Sequence, residues 1–354
     1  METHHRSNQD YGKAFVWHDP DIKWILVPIL LVVSILNGSG QDPVFSQFYS
    51  APLQLNPGLA GVAYKPNFAI NYRNQWPSLN NAYQTYALSY DQYFEDYNSG
   101  IGIYLQADNA GDGILKTNKA AAIYSYRLRI DREWQIRWGI ELGIVQSRLN
   151  WQKLVFSDQL DPEFGPVSPG GTPVPTDEVY PDDLSLTYLD MGTGGVIYSR
   201  KLYAGLSIRH LNTPRQSYLS GSENLTSGLP LRWNVHIGAE LPLTSGNKGR
   251  WKTFISPGMM YVRQGPFQQL ILGTFVGMGD IYGGFWYRHA GSDPDAVIGA
   301  VGLRKGSLRI TYSYDVTISA LSYKSGGSHE LGIMINLDDG QGESQYNDCL
   351  SLFR

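Results

Sequence analysis

The stretch Leu308-Arg309-Ile310-Thr311-Tyr312-Ser313-Tyr314-Asp315-Val316 alternates without a break. Leu308, Ile310, Tyr312, Tyr314 and Val316 share one face and Arg309, Thr311, Ser313 and Asp315 the other, the period of two that a β-strand produces. After Thr317–Gly327 the pattern returns, with Leu331, Ile333, Ile335 and Leu337 opposite Glu330, Gly332, Met334 and Asn336. Each strand is long enough to cross a bilayer, which takes about 9–11 tilted residues.

Working outward from this hairpin, the same unit recurs about fourteen times from Asn67 to Leu337, an even number of the kind a closed bacterial barrel needs. In Pro230–Leu243, for example, Leu231, Trp233, Val235, Ile237, Ala239 and Leu241 oppose Arg232, Asn234, His236, Gly238 and Glu240. The sixth strand is expected over Gly192–Ser199. Connections differ by parity. Even-numbered ones are short (Asp131-Arg132, Arg200, Gly279, Lys305-Gly306), whereas the longest, Leu149–Met191, Leu211–Leu229 and Thr317–Gly327, are all odd-numbered. That asymmetry predicts an all-β fold: a transmembrane antiparallel β-barrel with short periplasmic turns, long extracellular loops and charged residues lining a wet lumen. A soluble β-sandwich also has polar outer faces, but it gives no reason for the parity. Trp76, Trp134, Trp151, Trp251, Tyr93 and Tyr97 fall near strand ends, where amphipathic rings suit the headgroup level.

Composition agrees. Tyr (24), Trp (9) and Gly (39) are plentiful, and a mean hydropathy of -0.27 is too polar for a helical membrane protein. A barrel hides in such an average because apolar and polar residues cancel along each strand. A net charge of -4 argues against a nucleic-acid partner, which calls for a basic patch or stripe. The one continuous apolar run, Trp24–Leu36, is interrupted by Pro28 and is followed by Asn37-Gly38-Ser39-Gly40. It is shorter than the roughly 20 residues of a membrane-spanning helix and has the layout of a secretory signal peptide. The expected organisation is a signal peptide over 1–40 with an atypical acidic extension, a periplasmic segment over 41–66, the barrel over 67–337 and a periplasmic tail over 338–354. A membrane anchor is the alternative for the leader. The single cysteine, Cys349, excludes an intramolecular disulfide.

Four stretches stand together in order. Gln41-Asp42-Pro43-Val44-Phe45-Ser46-Gln47-Phe48-Tyr49 precedes Leu55-Asn56-Pro57-Gly58-Leu59-Ala60-Gly61; Tyr72-Arg73-Asn74-Gln75-Trp76 follows, and Gly327-Ser328-His329-Glu330-Leu331 comes near the end. The mature chain thereby resembles the PorP/SprF family of type IX secretion system outer-membrane proteins from Bacteroidota, with Gly58 where alanine is usual. The resemblance implies an integral outer-membrane barrel working in protein export, in some members in adhesin secretion for gliding. Its implied partners are periplasmic ring and motor components, the C-terminal sorting domain of a secreted cargo, and outer-membrane lipid. It brings no catalytic residue, cofactor or metal. The motif residues Phe45, Ser46, Gln47, Asn56, Pro57, Gly61, Tyr72, Arg73, Gln75, Trp76, Ser328, His329 and Glu330 become candidate partner contacts.

Elementary chemistry narrows the alternatives. His329-Glu330 lacks the second histidine of an H-E-x-x-H zinc site. If the last strand closes against the first, Glu330 lands beside Arg73, a structural pair across the seam. Tyr72–Trp76 reads either as strand registration with a girdle aromatic or as packing for the N-terminal segment. Asp108–Gly113 has Ala110 at a ligand position of a calcium loop and no glutamate at the twelfth, so a tight turn is expected. Asp158, Asp161, Glu163, Asp177, Glu178, Asp182 and Asp183 make the long loop acidic, which suits solvation, calcium or cargo. His210 with Ser217, and His236, are the residues an enzyme reading would need, but no G-x-S-x-G is present. Three functions remain: a secretion or attachment component, a porin tuned by Arg232, Arg309, His236, Glu240 and Asp315, and an outer-membrane enzyme. Gln41–Lys65 and the tail are expected to emerge on one side and form a periplasmic docking surface.

Overall fold

The alternating segments pair, each with its neighbour, into one antiparallel sheet that closes on itself. In this computed structural model the described residues are 41–353, apart from 80–81, 161–165, 167–171, 173, 181–182, 217, 219–227, 245–252, 292, 320–321 and 338–348. The strands are β1 Asn67–Gln75, β2 Tyr83–Phe94, β3 Ser99–Ala110, β4 Leu115–Arg129, β5 Gln135–Leu149, β6 Ser185–Tyr198 and β7 Leu202–Arg209. β8 comprises Arg232–Ala239 and Leu241–Thr244; then follow β9 Thr253–Gln264, β10 Phe267–Met278, β11 Ile281–Ala290, β12 Asp293–Lys305, β13 Leu308–Thr317 and β14 Ser328–Asn336. Both pieces of β8 pair with β9 in one register (Gly258 with Gly238, Ile255 with Leu241), so Glu240 interrupts a single strand and the barrel has fourteen. β14 closes on β1 with Arg73 opposite Glu330. No helix among the described residues is long and apolar enough to cross a membrane.

Outward positions carry the apolar set, among them Ile103, Leu105, Ile140, Leu142 and Ile144. Among the described residues, the turns that follow the even-numbered strands β2, β4, β6, β10 and β12 are short. β10–β11 and β12–β13 are joined by two-residue turns opening on Gly279 (φ 63°) and Gly306 (φ 59°), a conformation glycine adopts without a Cβ penalty. The described turns after even-numbered strands lie at one end of the barrel, the short-turn end; the described residues of the β5–β6, β7–β8 and β13–β14 connections lie at the other, the long-loop end.

The lumen departs from expectation. Every residue from Phe45 to Ala63 is buried. The segment expected outside the barrel instead threads it as a plug of short turns, Phe48–Ser50, Pro52–Leu55 and Pro57–Leu59. Its Phe48, Tyr49, Leu55, Leu59 and Val62 join wall residues such as Met260, Ile271, Phe275, Trp286 and Ile298 in one core. The wet lumen of the sequence reading is therefore a packed interior. Aliphatic and aromatic groups on β9–β12 meet the apolar side of the plug, where removal from water stabilises by roughly 25 cal/mol per Å². Charged groups elsewhere on the wall meet its backbone.

The two ends of the described chain also separate. At the long-loop end the Asp42 amide donates to Gln264 Oε1 at 3.0 Å, and its carboxylate binds His210 and Arg232. At the short-turn end the Cys349 amide donates to the carbonyl of Ser199 at 3.3 Å, and Cys349, Leu350 and Phe353 are buried. A single docking surface built from Gln41–Lys65 and the tail is thus not formed. One piece crosses the lumen and the end of the other enters it from the opposite side. The leader over 1–40 and tail residues 338–348 lie outside the described residues.

Three smaller corrections follow from the register. β6 begins at Ser185, seven residues before the expected Gly192, because it stays paired with β5 as far as Arg148 opposite Ser185. Its inward Asp190 is met by Lys119 at 2.6 Å inside the wall, so the carboxylate needs no bulk water. Tyr93 faces inward rather than toward lipid. Its ring packs on Tyr64, with the Arg127 and Arg137 guanidinium groups each 4.8 Å from its centroid. Asp108–Ala110 belongs to β3, and Gly111–Ile114 is the tight turn to β4. Trp251 lies outside the described residues.

Candidate functional site

The candidate site is the plug and the three places where the wall holds it. At the first, the alternation of β1, β13 and β14 turns Arg73, Asp315 and Glu330 inward at one level. The Glu330 carboxylate accepts the amides of Ser46 (2.7 Å) and Gln47 (2.8 Å) and also binds Arg73. Ser46 Oγ donates to Asp315 at 2.7 Å and accepts from both Arg73 and Arg288 at 2.7 Å. Gln47 Nε2 reaches Ser313 Oγ at 2.9 Å and the Glu330 carbonyl at 3.1 Å. Ser46 is small enough to let two guanidinium groups and a carboxylate converge on its hydroxyl. Gln75 and Ser328 steady the Arg73 side chain from the strand ends.

The second is at Asn56. Its Oδ1 accepts the Gly58 amide at 2.8 Å, and its Nδ2 donates to the carbonyls of Gly195 and Leu206, both at 3.1 Å. Pro57 presets the backbone of the turn that follows. The wall is pared back to admit it: a Cβ at Gly139 would collide with the Pro57 carbonyl, and one at Gly194 with Asn56 Oδ1. Arg209 donates to the carbonyls of Leu53 (2.9 Å) and Gln54 while paired with Glu141 at 2.9 Å.

At the third, the Gly61 amide donates to Asp91 at 2.7 Å, and the Ala60 carbonyl accepts from Ser125 (2.7 Å) and Arg137 (2.9 Å). Gly61 has φ 73°, the left-handed turn that sends the chain back toward β1. Buried main-chain groups need partners, and here charged wall residues supply them in place of a sheet ladder.

Beyond the end of β7, His210 binds Asp190 through Nδ1 (2.8 Å) and Asp42 through Nε2 (3.0 Å). Burial alone lowers its pKa, but the hydrogen bonds and charges of the two carboxylates outweigh burial and hold it at about 9. Both ring nitrogens are engaged, so His210 is an ionic clamp rather than a general base. Ser217 lies outside the described residues. His236 is buried with Nε2 3.1 Å from Asn56 Nδ2. Among the described residues no cluster of three or more His, Cys, Asp or Glu side chains is arranged to hold a metal; Asp161, Glu163 and Asp182 of the acidic loop lie outside them.

The family model described as type IX secretion system membrane protein PorP/SprF matches residues 37–335. The chain belongs to the PorP/SprF family. It is therefore an outer-membrane component of type IX secretion. No curated protein matches it. Among solved structures it is similar to the toluene transporter TbuX of Ralstonia pickettii (9% identity, TM-score 0.44, covering 81% of this chain and 93% of that one). It is also similar to a Pseudomonas aeruginosa FadL homologue (8%, TM-score 0.40, 80% and 93%). A third is the Acinetobacter baumannii outer membrane protein Omp33 (5%, TM-score 0.39, 77% and 98%).

In this PorP/SprF chain the motif residues sort by position. Ser46, Gln47, Arg73, Gln75, Ser328 and Glu330 converge at the first anchor; Asn56 and Pro57 form the second and Gly61 the third. Phe45 is buried in the plug beside Ala51 and Ala87. Tyr72, Trp76 and His329 are not brought to the plug. Tyr72 pairs with Tyr86 and His329 with Tyr312 on the outer face, while Trp76 packs on Tyr83 beyond the end of β1. Arg288, Asp315, Arg209, Glu141 and Asp91 were not singled out as plug ligands from the sequence. The signal that points to them is the run of inward-phase glycines, Gly100, Gly102, Gly139 and Gly194, which marks a wall approached closely by something else.

Proposed function

We propose that this chain is a non-enzymatic component acting in the export or surface attachment of type IX cargo, including gliding-related adhesins. In this reading it works through its two end faces rather than by passing solutes. The observation that carries it is the filled lumen in a PorP/SprF barrel: the plug occupies the path a solute would take and is bonded to the wall along its length. The short-turn face, with the end of the tail, meets periplasmic ring and motor components. The long-loop face, with Asp42 and the acidic loop, meets the C-terminal domain of the cargo outside. Three of the wall groups that favoured a porin, Arg232, His236 and Asp315, are ligands of the plug, which weakens that reading.

Deleting the gene and following each type IX cargo tests the proposal. One or more cargo proteins should accumulate in the periplasm or be released rather than attached. Export and attachment of every cargo at the normal level would overturn it. In planar bilayers the purified protein should show no steady large conductance, and a persistent open channel would favour the porin.

A further inference from the structure

One sector of the lumen at the short-turn end is recessed, and the wall makes it so. Gly238 leaves room for the Tyr203 ring to lie flat, since a Cβ there would collide with its hydroxyl; Gly205 does the same for the His236 imidazole. The two rings, 5.9 Å apart, form one side of the recess. The Phe48–Ser50 turn of the plug closes it from within, and Ser199, in the β6–β7 turn, stands at its mouth. The turn Cys349–Phe353 fills it. Phe353 meets Tyr203 edge-on (5.3 Å, 83°) and lies 6.2 Å from His236, and Leu350 is fully buried in the same core.

Lining and filling differ in origin. Tyr203, Gly205, His236, Gly238 and Phe48 fall inside the region matched by the family model, residues 37–335, whereas Cys349–Phe353 falls beyond it. The recess belongs to the barrel and plug, and the occupant is appended to them. We propose that this recess is a peptide-docking site, and that its ligand class is a short peptide of a partner on the short-turn side presenting an aliphatic and an aromatic side chain three residues apart. Leu350 and Phe353 are the resident example. A tethered occupant acts at an effective concentration on the order of millimolar, so the tail holds off weak competitors and yields to a partner with further contacts. The proposal rests on the functional reading above only for the compartment in which that partner is met.

The test uses the full-length protein in detergent and a fluorescent peptide corresponding to residues 346–354. The Leu350→Ser/Phe353→Ser variant vacates the recess and should bind the peptide saturably, about tenfold or more tighter than the unaltered protein does. The same peptide carrying the Phe353→Ser change should not bind. Absence of binding to a variant whose barrel still migrates as folded on unheated gels, or equal binding to both proteins, would overturn the proposal. A second measurement needs no variant. Excess peptide carrying the Cys349→Ser change should displace the tail and raise the alkylation rate of the protein's own Cys349, and an unchanged rate would also overturn it. Neither readout depends on cargo export, so either proposal can fail without the other.

Discussion

Arg73 and Glu330 face each other across the seam where the first strand meets the last, and the carboxylate that binds the guanidinium also accepts the amides of Ser46 and Gln47. Seam and plug therefore share one charge. Glu330→Gln keeps the shape and removes that charge, leaving Arg73 and Arg288 to share Asp315. Uncompensating a buried ion pair costs about 3–5 kcal/mol. The variant should unfold at lower denaturant by that margin, measured by loss of heat-modifiable migration; an unchanged midpoint would show that the seam does not depend on the plug.

Gly139 and Gly299 make a matched pair. A Cβ at Gly139 meets the Pro57 carbonyl, whereas one at Gly299 meets nothing within 4 Å. Gly139→Ala should destabilise by about 1–3 kcal/mol, the range for overpacking, and Gly299→Ala should be neutral or slightly stabilising. Equal effects in thermal unfolding would refute the close fit of plug to wall.

His210 predicts a pH dependence. Its pKa is raised from 6.5 to about 9 in the fold, so the folded state binds the proton more tightly than the unfolded chain does. The stabilisation is full below about 6.5, declines as pH rises and is gone above about 9. The groups facing it are Asp42 and Asp190, with Arg232 and Lys119 behind them. Unfolding midpoints from pH 6 to 10 should fall more steeply for the unaltered protein than for His210→Gln. Parallel curves would exclude His210 as the clamp.

The course of the plug predicts a labelling pattern. In a Cys349→Ser background, Gln41→Cys should react with a membrane-impermeant maleimide on intact cells together with Val179→Cys in the long loop, while Arg132→Cys in the β4–β5 turn should not. Labelling of Gln41→Cys with Arg132→Cys, and not with Val179→Cys, would mean that the segment does not cross the lumen.

The barrel was legible because a one-residue slip moves every side chain to the other face, so each amphipathic strand declares its own phase. The Arg73–Glu330 pair was legible for the same reason. What escaped was the occupant of the lumen. Ser46, Gln47, Asn56 and Gly61 carry no periodicity; the partners that give the first three their meaning lie more than a hundred residues away, and that of Gly61 lies on the next strand but one, at Asp91. The phase rule places Glu330 inside without saying whether water or Ser46 meets it there. The pairing that carries β6 back to Ser185 sets Asp190 beside Lys119 of β4, a contact that alternation along one strand does not reveal.

Because the plug enters at the long-loop end and hands over to β1 at the short-turn end, residues near its start are held by the last strands to be made. Ser46 and Gln47 find their ligands on β13 and β14, more than 260 residues downstream. A nascent chain lacking Ser328–Asn336 has neither the closing strand nor the carboxylate that holds the plug. Closure of the cylinder and seating of its contents are then one topological event: the sheet wraps around a strand of its own chain, and unthreading requires opening the β1–β14 seam or drawing the amino end back through the whole length of the wall.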